Sequence, residues 1–314
     1  MEVYNVYSTY LKDKHGGKVY KIPVNLPISC PNRDGTCGTG GCTFCGDIGA
    51  GYEMKDSSID ISTQIEENIA KIGKRYNAKM FIAYLQNFSN TYMPTQMFEN
   101  VLEQIKGDEF VGISVSTRPD CINDKYLDIL KKWSEKYGKS VCVELGLQTV
   151  NYKTLDIINR GHGLAEYLDA MLRIKAYGFE SCTHIILDLP WDDMRDTIET
   201  AKCVSALGTT YVKLHSLYIV KGTKLAKEYE AGNLNMLSLE EYKERVKTFL
   251  RYLSPDIVVQ RIIGRAPEEF TLRANWGTSW WKIHDDIVRE MQEAGYHQGQ
   301  LCDYLNGKAV QKFI

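Results

Sequence analysis

Apolar runs alternate along the chain with segments whose apolar residues recur every three or four positions. Apolar runs of four to eight residues are typical of strands that are buried on both faces, as in a parallel sheet. Seven strands are predicted from such runs, at Val19–Leu26, Met80–Leu85, Val111–Ser116, Ser140–Gln148, Ser181–Leu189, Tyr211–Val220 and Asp256–Ile263.

Helices are predicted between these strands. The clearest spans 238–253, where Ser238 and Glu241 form a capping box ahead of an apolar stripe. A second capping box, Thr63 with Glu66, predicts another helix start. The other helices are predicted at 63–76, 95–106, 123–137, 151–158, 164–177, 193–207 and near 282–294. Strands that alternate with helices in this way indicate βαβ units and a parallel sheet, here a full or partial barrel.

Composition narrows the class of protein. Apolar residues make up 44% and charged residues 25% of the 314 positions, which excludes wholesale disorder. No apolar run approaches the roughly 20 residues of a membrane span, and no secretory signal is visible. We therefore expect a cytoplasmic protein without a membrane partner, in which most of the nine cysteines are free thiols.

Four of the nine cysteines lie in one glycine-rich loop after the first strand, with the sequence CPNRDGTCGTGGCTFC. They are Cys30, Cys37, Cys42 and Cys45. Thiolates are soft ligands that suit zinc or an iron–sulfur cluster. All four could close a tetrahedral zinc site, or three could hold a [4Fe–4S] cluster whose fourth iron binds S-adenosylmethionine. The spacing alone does not select three cysteines from four.

The pair Cys42-Thr-Phe-Cys45, after the first strand of a βα-repeat chain, resembles the radical S-adenosylmethionine (radical SAM) enzymes. Their common spacing has three residues and then two, whereas eleven residues separate Cys30 from Cys42. The longer pattern is similar to the YhcC/YtqA (MnmL-like) family, which is related to the radical SAM domain of the Elongator catalytic subunit. Other motifs that carry the resemblance are NTYMP at 90–94, STRPDCI at 116–122, ELGLQT at 144–149, NRGH at 159–162, HIILDLPW at 184–191 and LHSLYIVKGT at 214–223.

This resemblance implies an α/β fold, the radical SAM partial (β/α)6 TIM-like barrel. The core is expected at 1–225, with the cluster loop at 27–52. Residues 226–314 are expected to form a C-terminal extension that completes the barrel and binds substrate. The implied cofactors are a [4Fe–4S] cluster and S-adenosylmethionine (SAM). The implied cluster ligands and catalytic residues are Cys30, Cys42 and Cys45, and the pattern does not require Cys37.

Polar residues near the predicted strand ends are expected to bind the cofactor, since ligands of parallel barrels lie at the carboxyl ends of the strands. Glu144 and Gln148 share one strand face, and Arg160 could hold a carboxylate with two parallel hydrogen bonds. The full set of expected cofactor contacts is Gln86, Ser116, Glu144, Gln148, Arg160 and Asp188. Structural alternatives remain open, namely a loop amide for Gln86 and a buried salt bridge for Glu144.

The net charge of −2 conceals two basic stretches, at 212–227 and 245–282. Trp276, Trp280 and Trp281 lie within the second stretch. Cations and aromatic rings together suit single-stranded RNA. A solvated face with a tryptophan-rich core edge is the alternative. The expected substrate contacts are His215, Tyr218, Lys221, Arg261 and Arg265.

The resemblance implies a tRNA-modifying enzyme that acts on the C5 substituent of wobble uridine 34. It implies that a 5′-deoxyadenosyl radical drives the conversion of carboxymethylaminomethyl-uridine to aminomethyl-uridine. The expected partners are tRNA and an electron donor such as flavodoxin or ferredoxin. Two alternatives are a radical SAM enzyme acting on a small molecule, porphyrinogen or peptide, and a non-catalytic, zinc-stabilised nucleic-acid-binding module.

Overall fold

Parallel strands form one curled sheet in the computed structural model, which describes residues 2–47, 49 and 54–313. The order across this sheet, within the described residues, is β1-β2-β3-β4-β5-β6-β8, and β7 and β9 pair antiparallel beside it. The strands are β1 (Val19–Val24), β2 (Met80–Leu85), β3 (Phe110–Thr117), β4 (Ser140–Gln148), β5 (Glu180–Ile186), β6 (Tyr211–His215), β7 (Ile219–Val220), β8 (Val258–Arg261) and β9 (Thr271–Arg273).

Helices connect the strands and pack on the sheet. Among them, α2 packs on β1, α4 on β4 and α6 on β4 and β5, while α9 packs between α7 and α10. The helices are α1 (Tyr7–His15), α2 (Ile61–Tyr76), α3 (Thr95–Glu103), α4 (Asp124–Tyr137), α5 (Tyr152–Ile157), α6 (Leu164–Ala176), α7 (Met194–Leu207), α8 (Lys224–Glu230), α9 (Leu239–Tyr252) and α10 (Trp280–Glu293). None of these helices is long and apolar enough to cross a membrane.

The sheet curls until its two edges approach each other. Lys21 of β1 donates to Oε1 of Gln260 in β8 at 2.9 Å, although these strands lie at opposite ends of the strand order. Val6 also forms a parallel bridge with Val259 of β8. The predicted α/β fold with a partial parallel barrel is therefore confirmed. Six strands form the expected barrel, and β8 adds a seventh beside β6.

The two faces of β4 show how the strand pattern positions the site. Val143, Leu145 and Leu147 are completely buried in the apolar core. Alternate residues of a strand point to opposite faces, so Glu144 and Gly146 face the inside of the curl. The apolar packing outside thus fixes the positions of the polar residues inside.

Several predicted boundaries differ from the structure by two or more residues, and two of these differences have a local cause. Helix α2 begins at Ile61, and its N-cap is Asp60, whose carboxylate accepts from the backbone N–H of Thr63 at 2.9 Å. Thr63 therefore lies within the first turn and cannot cap it. The predicted strand Tyr211–Val220 is broken into β6 and β7, because β7 leaves the main sheet to pair with β9. The apolar pattern does not show this change of partner.

Candidate functional site

A cavity of about 760 Å³ lies at the carboxyl ends of the parallel strands. Ligands of parallel barrels bind at this end of the strands. Most of the residues predicted for the site line this cavity, namely Cys30, Cys42, Cys45, Gln86, Ser116, Glu144, Gln148, Arg160, His215, Tyr218, Arg261 and Arg265. The structure thus brings residues from seven separate regions of the chain to one space.

The cysteine loop is attached to the segment that follows α5. Nδ2 of Asn32 donates to the backbone oxygen of Asn159 at 2.6 Å and lies 3.7 Å from Sγ of Cys42. The backbone N–H of Thr43 donates to the Ile158 oxygen at 2.9 Å. A Cβ at Gly38 would lie 2.2 Å from Oδ1 of Asn32, so this close approach requires glycine. These contacts hold the loop over the sheet.

The four loop cysteines differ in their surroundings. Cys30, Cys42 and Cys45 line the cavity, whereas Cys37 is exposed and lies outside its lining. Burial raises the pKa of Cys45 to about 11, against the opposing effect of nearby Arg33 and Arg160. A metal ion that bound this thiol would therefore displace a proton from it. Positions 48 and 50–52 of the predicted cluster loop lie outside the described residues.

Arg160 links the cysteines to β4. Its Nη1 lies 3.4 Å from Sγ of Cys42, and its Nη2 donates to the backbone oxygen of Gly146 at 2.6 Å. A Cβ at Gly146 would lie 2.6 Å from Nη2 and 2.9 Å from Nε2 of Gln148. The Nε of Arg160 is buried without a hydrogen-bond partner among the described residues. The guanidinium thus has a donor left for a ligand beside the cysteines.

Glu144 lies inside the curl with both carboxylate oxygens engaged. It pairs with Lys21, accepts from Nε2 of His184 at 2.8 Å, and lies 3.6 Å from Nζ of Lys213. Burial alone would raise the pKa of Glu144, but these partners, led by Lys21, hold that pKa well below its ordinary value. The structure therefore shows the buried salt bridge that the sequence left open for this residue.

Three basic side chains lie in one register row across neighbouring strands. His184 of β5 pairs with Lys213 of β6, and Lys213 pairs with Arg261 of β8. We call His184, Lys213 and Arg261 the basic row. Gly146 of β4 is paired with His184, so the row begins beside the carbonyl that holds Arg160.

Hydrogen bonds join this row to Glu144. Nη2 of Arg261 donates to Nδ1 of His215 at 2.8 Å, and Nε2 of His215 lies 3.3 Å from Nδ1 of His184. Since His184 bonds Glu144 through Nε2, each imidazole carries its proton on Nε2. Burial lowers the pKa of His184 to about 4 and that of His215 well below its ordinary value. Both rings are therefore neutral at pH 7.

Lys213 and Tyr84 are cavity residues that the sequence analysis did not select. Burial lowers the pKa of Lys213 to about 8, even though nearby Glu144 raises it. Its Nζ donates to the hydroxyl of Tyr84 at 3.0 Å, and Oγ of Ser116 donates to the same hydroxyl at 3.1 Å. The sequence does contain a signal for Lys213, because a lysine between Val212 and Leu214 interrupts an otherwise apolar strand.

Two predicted site residues lie outside the cavity lining. Asp188 is completely buried and accepts from the backbone N–H of Leu217 at 2.6 Å. Burial raises the pKa of this carboxyl to about 6. Lys221 is exposed and donates to the backbone oxygen of Glu269 at 2.8 Å.

The basic stretches are only partly on the surface. Arg245 is buried and donates to the backbone oxygen of Leu187 at 2.8 Å, and Lys247 is buried against Glu290. Trp280 and Trp281 are 41% and 51% exposed. The charge count therefore overstates the basic surface, while two of the tryptophans are accessible for stacking.

Comparison with known proteins assigns this fold and site to a class of protein. The family model for the radical SAM superfamily matches residues 34–204, and the model for the radical SAM C-terminal domain matches residues 209–293. The chain belongs to the radical SAM superfamily. Enzymes of this superfamily use a [4Fe–4S] cluster and SAM and need an electron donor, so the two expected cofactors are confirmed.

The relatives agree with the predicted branch of the superfamily. YtqA of Bacillus subtilis (strain 168) is 35% identical over 308 residues, which cover 98% of this chain and 95% of YtqA. YhcC of Escherichia coli (strain K12) is 34% identical over 292 residues, which cover 93% of each chain. The structure of the archaeal Methanocaldococcus infernus Elp3 with an N-terminal deletion gives a TM-score of 0.65 at 15% identity, covering 89% of this chain and 64% of that one. The last match shows the shared fold.

Proposed function

We propose that this radical SAM enzyme modifies the C5 substituent of wobble uridine 34 in tRNA, converting carboxymethylaminomethyl-uridine to aminomethyl-uridine. The proposal rests mainly on one observation, that Cys30, Cys42 and Cys45 line the same cavity as the basic row. Pockets of about 300–1,000 Å³ accept drug-sized ligands. A cavity of about 760 Å³ with cysteines on its wall suits a cofactor beside the substituent of one nucleoside.

Three thiols of the cysteine loop fit a [4Fe–4S] cluster with one open iron position. Cys30, Cys42 and Cys45 are its proposed ligands, because all three line the cavity, and exposed Cys37 is a bystander. Nη1 of Arg160 lies 3.4 Å from Sγ of Cys42, so the guanidinium can donate a hydrogen bond to this sulfur. When bound, the reduced cluster supplies one electron for cleavage of SAM and so allows hydrogen abstraction from the substrate.

The cavity wall next to the cysteines offers polar groups for SAM. The unpaired Nε of Arg160 is the proposed donor to the SAM carboxylate. Gln86, Ser116 and Gln148 line the same cavity and are proposed as its hydrogen-bonding partners. Glu144 is proposed to lie beside SAM, held in place by its ion pairs. Asp188 is proposed to contribute to cofactor binding indirectly, because its carboxylate fixes the backbone of Leu217.

The remaining wall is proposed to face the substrate. It includes His215, Tyr218, Arg261 and Arg265, with exposed Phe270 at the same cavity. An aromatic ring there suits stacking on an unpaired base, such as those of an anticodon loop. Lys221, outside the cavity, is proposed to contact RNA phosphates, and flavodoxin or ferredoxin is proposed as the cytoplasmic reductant. The motif resemblance to the Elongator catalytic subunit supports RNA over a small molecule or peptide.

Mass analysis of wobble nucleosides in cells that lack this chain tests the proposal. We expect carboxymethylaminomethyl-uridine to accumulate and aminomethyl-uridine to fall. Re-expression of the wild type or of Cys37→Ala should restore the wild-type pattern, whereas Cys42→Ala should not. Unchanged wobble nucleosides would overturn the tRNA assignment, and restoration by Cys42→Ala would overturn the ligand assignment.

A further inference from the structure

We propose that the basic row and His215 form a binding site for a carboxylate carried by the substrate. The inference rests on the proposed function, because it assigns the anion to the molecule that this enzyme modifies. It adds a chemical requirement, namely that the reacting substituent ends in a negatively charged group.

Cationic groups outnumber carboxylates inside the curl. Lys21, Lys213 and Arg261 lie around a single buried carboxylate, that of Glu144. His184 and His215 do not change this balance, since both are neutral. Glu144 is already engaged by Lys21 and His184 and lies 3.6 Å from Nζ of Lys213, so one carboxylate faces three cations, and Arg261 has no ion pair within the described part of the chain. Excess buried charge is costly unless a counter-ion enters, so the cavity favours an anion.

Arg261 presents a suitable free edge. Its Nη2 donates one hydrogen to His215, and its Nε is buried without a hydrogen-bond partner among the described residues. Nε–H and the second hydrogen of Nη2 form the planar fork that matches the two oxygens of a carboxylate. A Cβ at Gly264 would lie 2.9 Å from Cζ and 3.0 Å from Nη2 of Arg261. The guanidinium thus rests against the backbone of Gly264, which fixes its position.

This site is separate from the one proposed for the SAM carboxylate. Arg160 is bonded to Gly146 of β4, whereas Arg261 lies on β8. Two strands, β5 and β6, stand between β4 and β8 in the sheet, and the two arginines have different hydrogen-bond partners. Two anionic groups can therefore bind in the same cavity, one near the cysteines and one on the basic row. Besides buried Glu144, the described cavity lining includes the acidic residues Glu268 and Glu269, and both are exposed to solvent.

Binding of acetate to the cluster-loaded protein tests the site without requiring turnover. Ligand-observed NMR titrations would compare acetate with neutral acetamide. We expect saturable acetate binding that Arg261→Gln weakens at least tenfold, and that Arg289→Gln, an exposed arginine on α10, leaves unchanged. Gly264→Ala should also weaken it, because the added Cβ displaces the guanidinium. This second variant keeps the test valid if Arg261→Gln fails to fold or to load iron.

A second experiment distinguishes failure of the carboxylate site from failure of the proposed function. Anticodon stem-loops carrying carboxymethylaminomethyl-uridine or its methyl ester would be compared for KM and kcat. We expect the ester to raise KM at least tenfold in the wild type and to have little further effect in Arg261→Gln. Equal acetate binding by wild type and Arg261→Gln, or equal KM for acid and ester, would overturn the carboxylate site. Acetate binding as expected, with no change in any wobble nucleoside in cells, would instead overturn the tRNA proposal and leave the anion site standing.

Discussion

The cysteine loop and the basic row border the same cavity but are built in different ways. The three cysteines of the cavity lie within sixteen residues of one loop, held by side-chain and backbone contacts to the segment after α5. The basic row takes one residue from each of three strands, and the register of the sheet aligns them. The loop can bind a cofactor because its backbone bends tightly, as at Gly40 and Gly41 with φ values of 77° and 75°.

The difference explains how each part is stabilised. The basic row lies on strands whose other faces are buried in the apolar core, so packing holds its residues in place before a ligand binds. The cysteine loop packs Phe44 against a small apolar cluster and is otherwise held by hydrogen bonds such as that of Asn32. We therefore expect changes in the loop to affect cofactor loading first, and changes in the row to affect stability and substrate binding.

The largest effect is expected in the loop. Cys42→Ala should reduce bound iron and sulfide to background and abolish cleavage of SAM, since three thiolates are needed to hold the cluster. Iron analysis after anaerobic reconstitution, with visible absorption, is the measurement. Cys37→Ala is the matched control and should load iron as the wild type does. Equal iron loss in both variants would mean that Cys37 is a ligand.

The next largest effect is expected at Glu144, the buried carboxylate that the basic row surrounds. Glu144→Gln should destabilise the fold by about 3–5 kcal/mol, because it leaves the buried ammonium of Lys21 without its partner. Urea unfolding would measure this loss. The exposed Glu103, paired with Lys136, provides the control Glu103→Gln, which should shift the midpoint far less. Equal shifts of the urea midpoint in the two variants would show that the buried ion pair contributes no more to stability than the surface pair.

The pH dependence of stability provides a further check on Glu144. Its pKa is lower in the folded chain than its ordinary value of 4.5, so the unfolded chain binds the proton more readily. The stabilisation is therefore present above about pH 4.5 and is lost as the pH falls through the folded-state pKa. Acid unfolding of the wild type should be steeper in this range than that of Glu144→Gln. Parallel curves would show that Glu144 does not contribute.

A smaller effect is expected where the two regions meet. Gly146→Ala should weaken SAM binding about tenfold, or about 1.4 kcal/mol, because the new Cβ displaces Arg160 and Gln148. Equilibrium dialysis with the cluster-loaded protein would measure it. Gly163→Ala, whose Cβ would meet only Oε2 of Glu166 at 3.4 Å, is the control and should bind SAM normally. Normal binding by Gly146→Ala would separate Arg160 from the SAM site.

The smallest effect is expected at Tyr84. Tyr84→Phe removes the hydroxyl that accepts from Lys213 and Ser116, at a cost of roughly 1 kcal/mol. Urea unfolding would detect the change, and iron loading should remain that of the wild type. Reduced iron in this variant would show that the basic row and the cysteine loop are coupled through the sheet.

The sequence by itself determined the alternation of strands and helices along the chain, the cysteine loop and the family. Apolar runs and helical stripes are local patterns, and a motif such as CTFC needs only neighbouring residues to be recognised. The four cysteines could therefore be selected as a group before any contact was known. The strand period of two likewise predicts that Glu144 and Gln148 lie on one strand face.

Only the tertiary structure decided which residues far apart in sequence meet. The approach of Lys21 to Gln260 depends on the curl of the whole sheet, and the alignment of Lys213 with Arg261 depends on a register shift between β6 and β8. Local patterns carry no information about curl or register between distant strands. For the same reason the charge count could not tell that Arg245 and Lys247 are buried, since burial depends on what packs against each helix face.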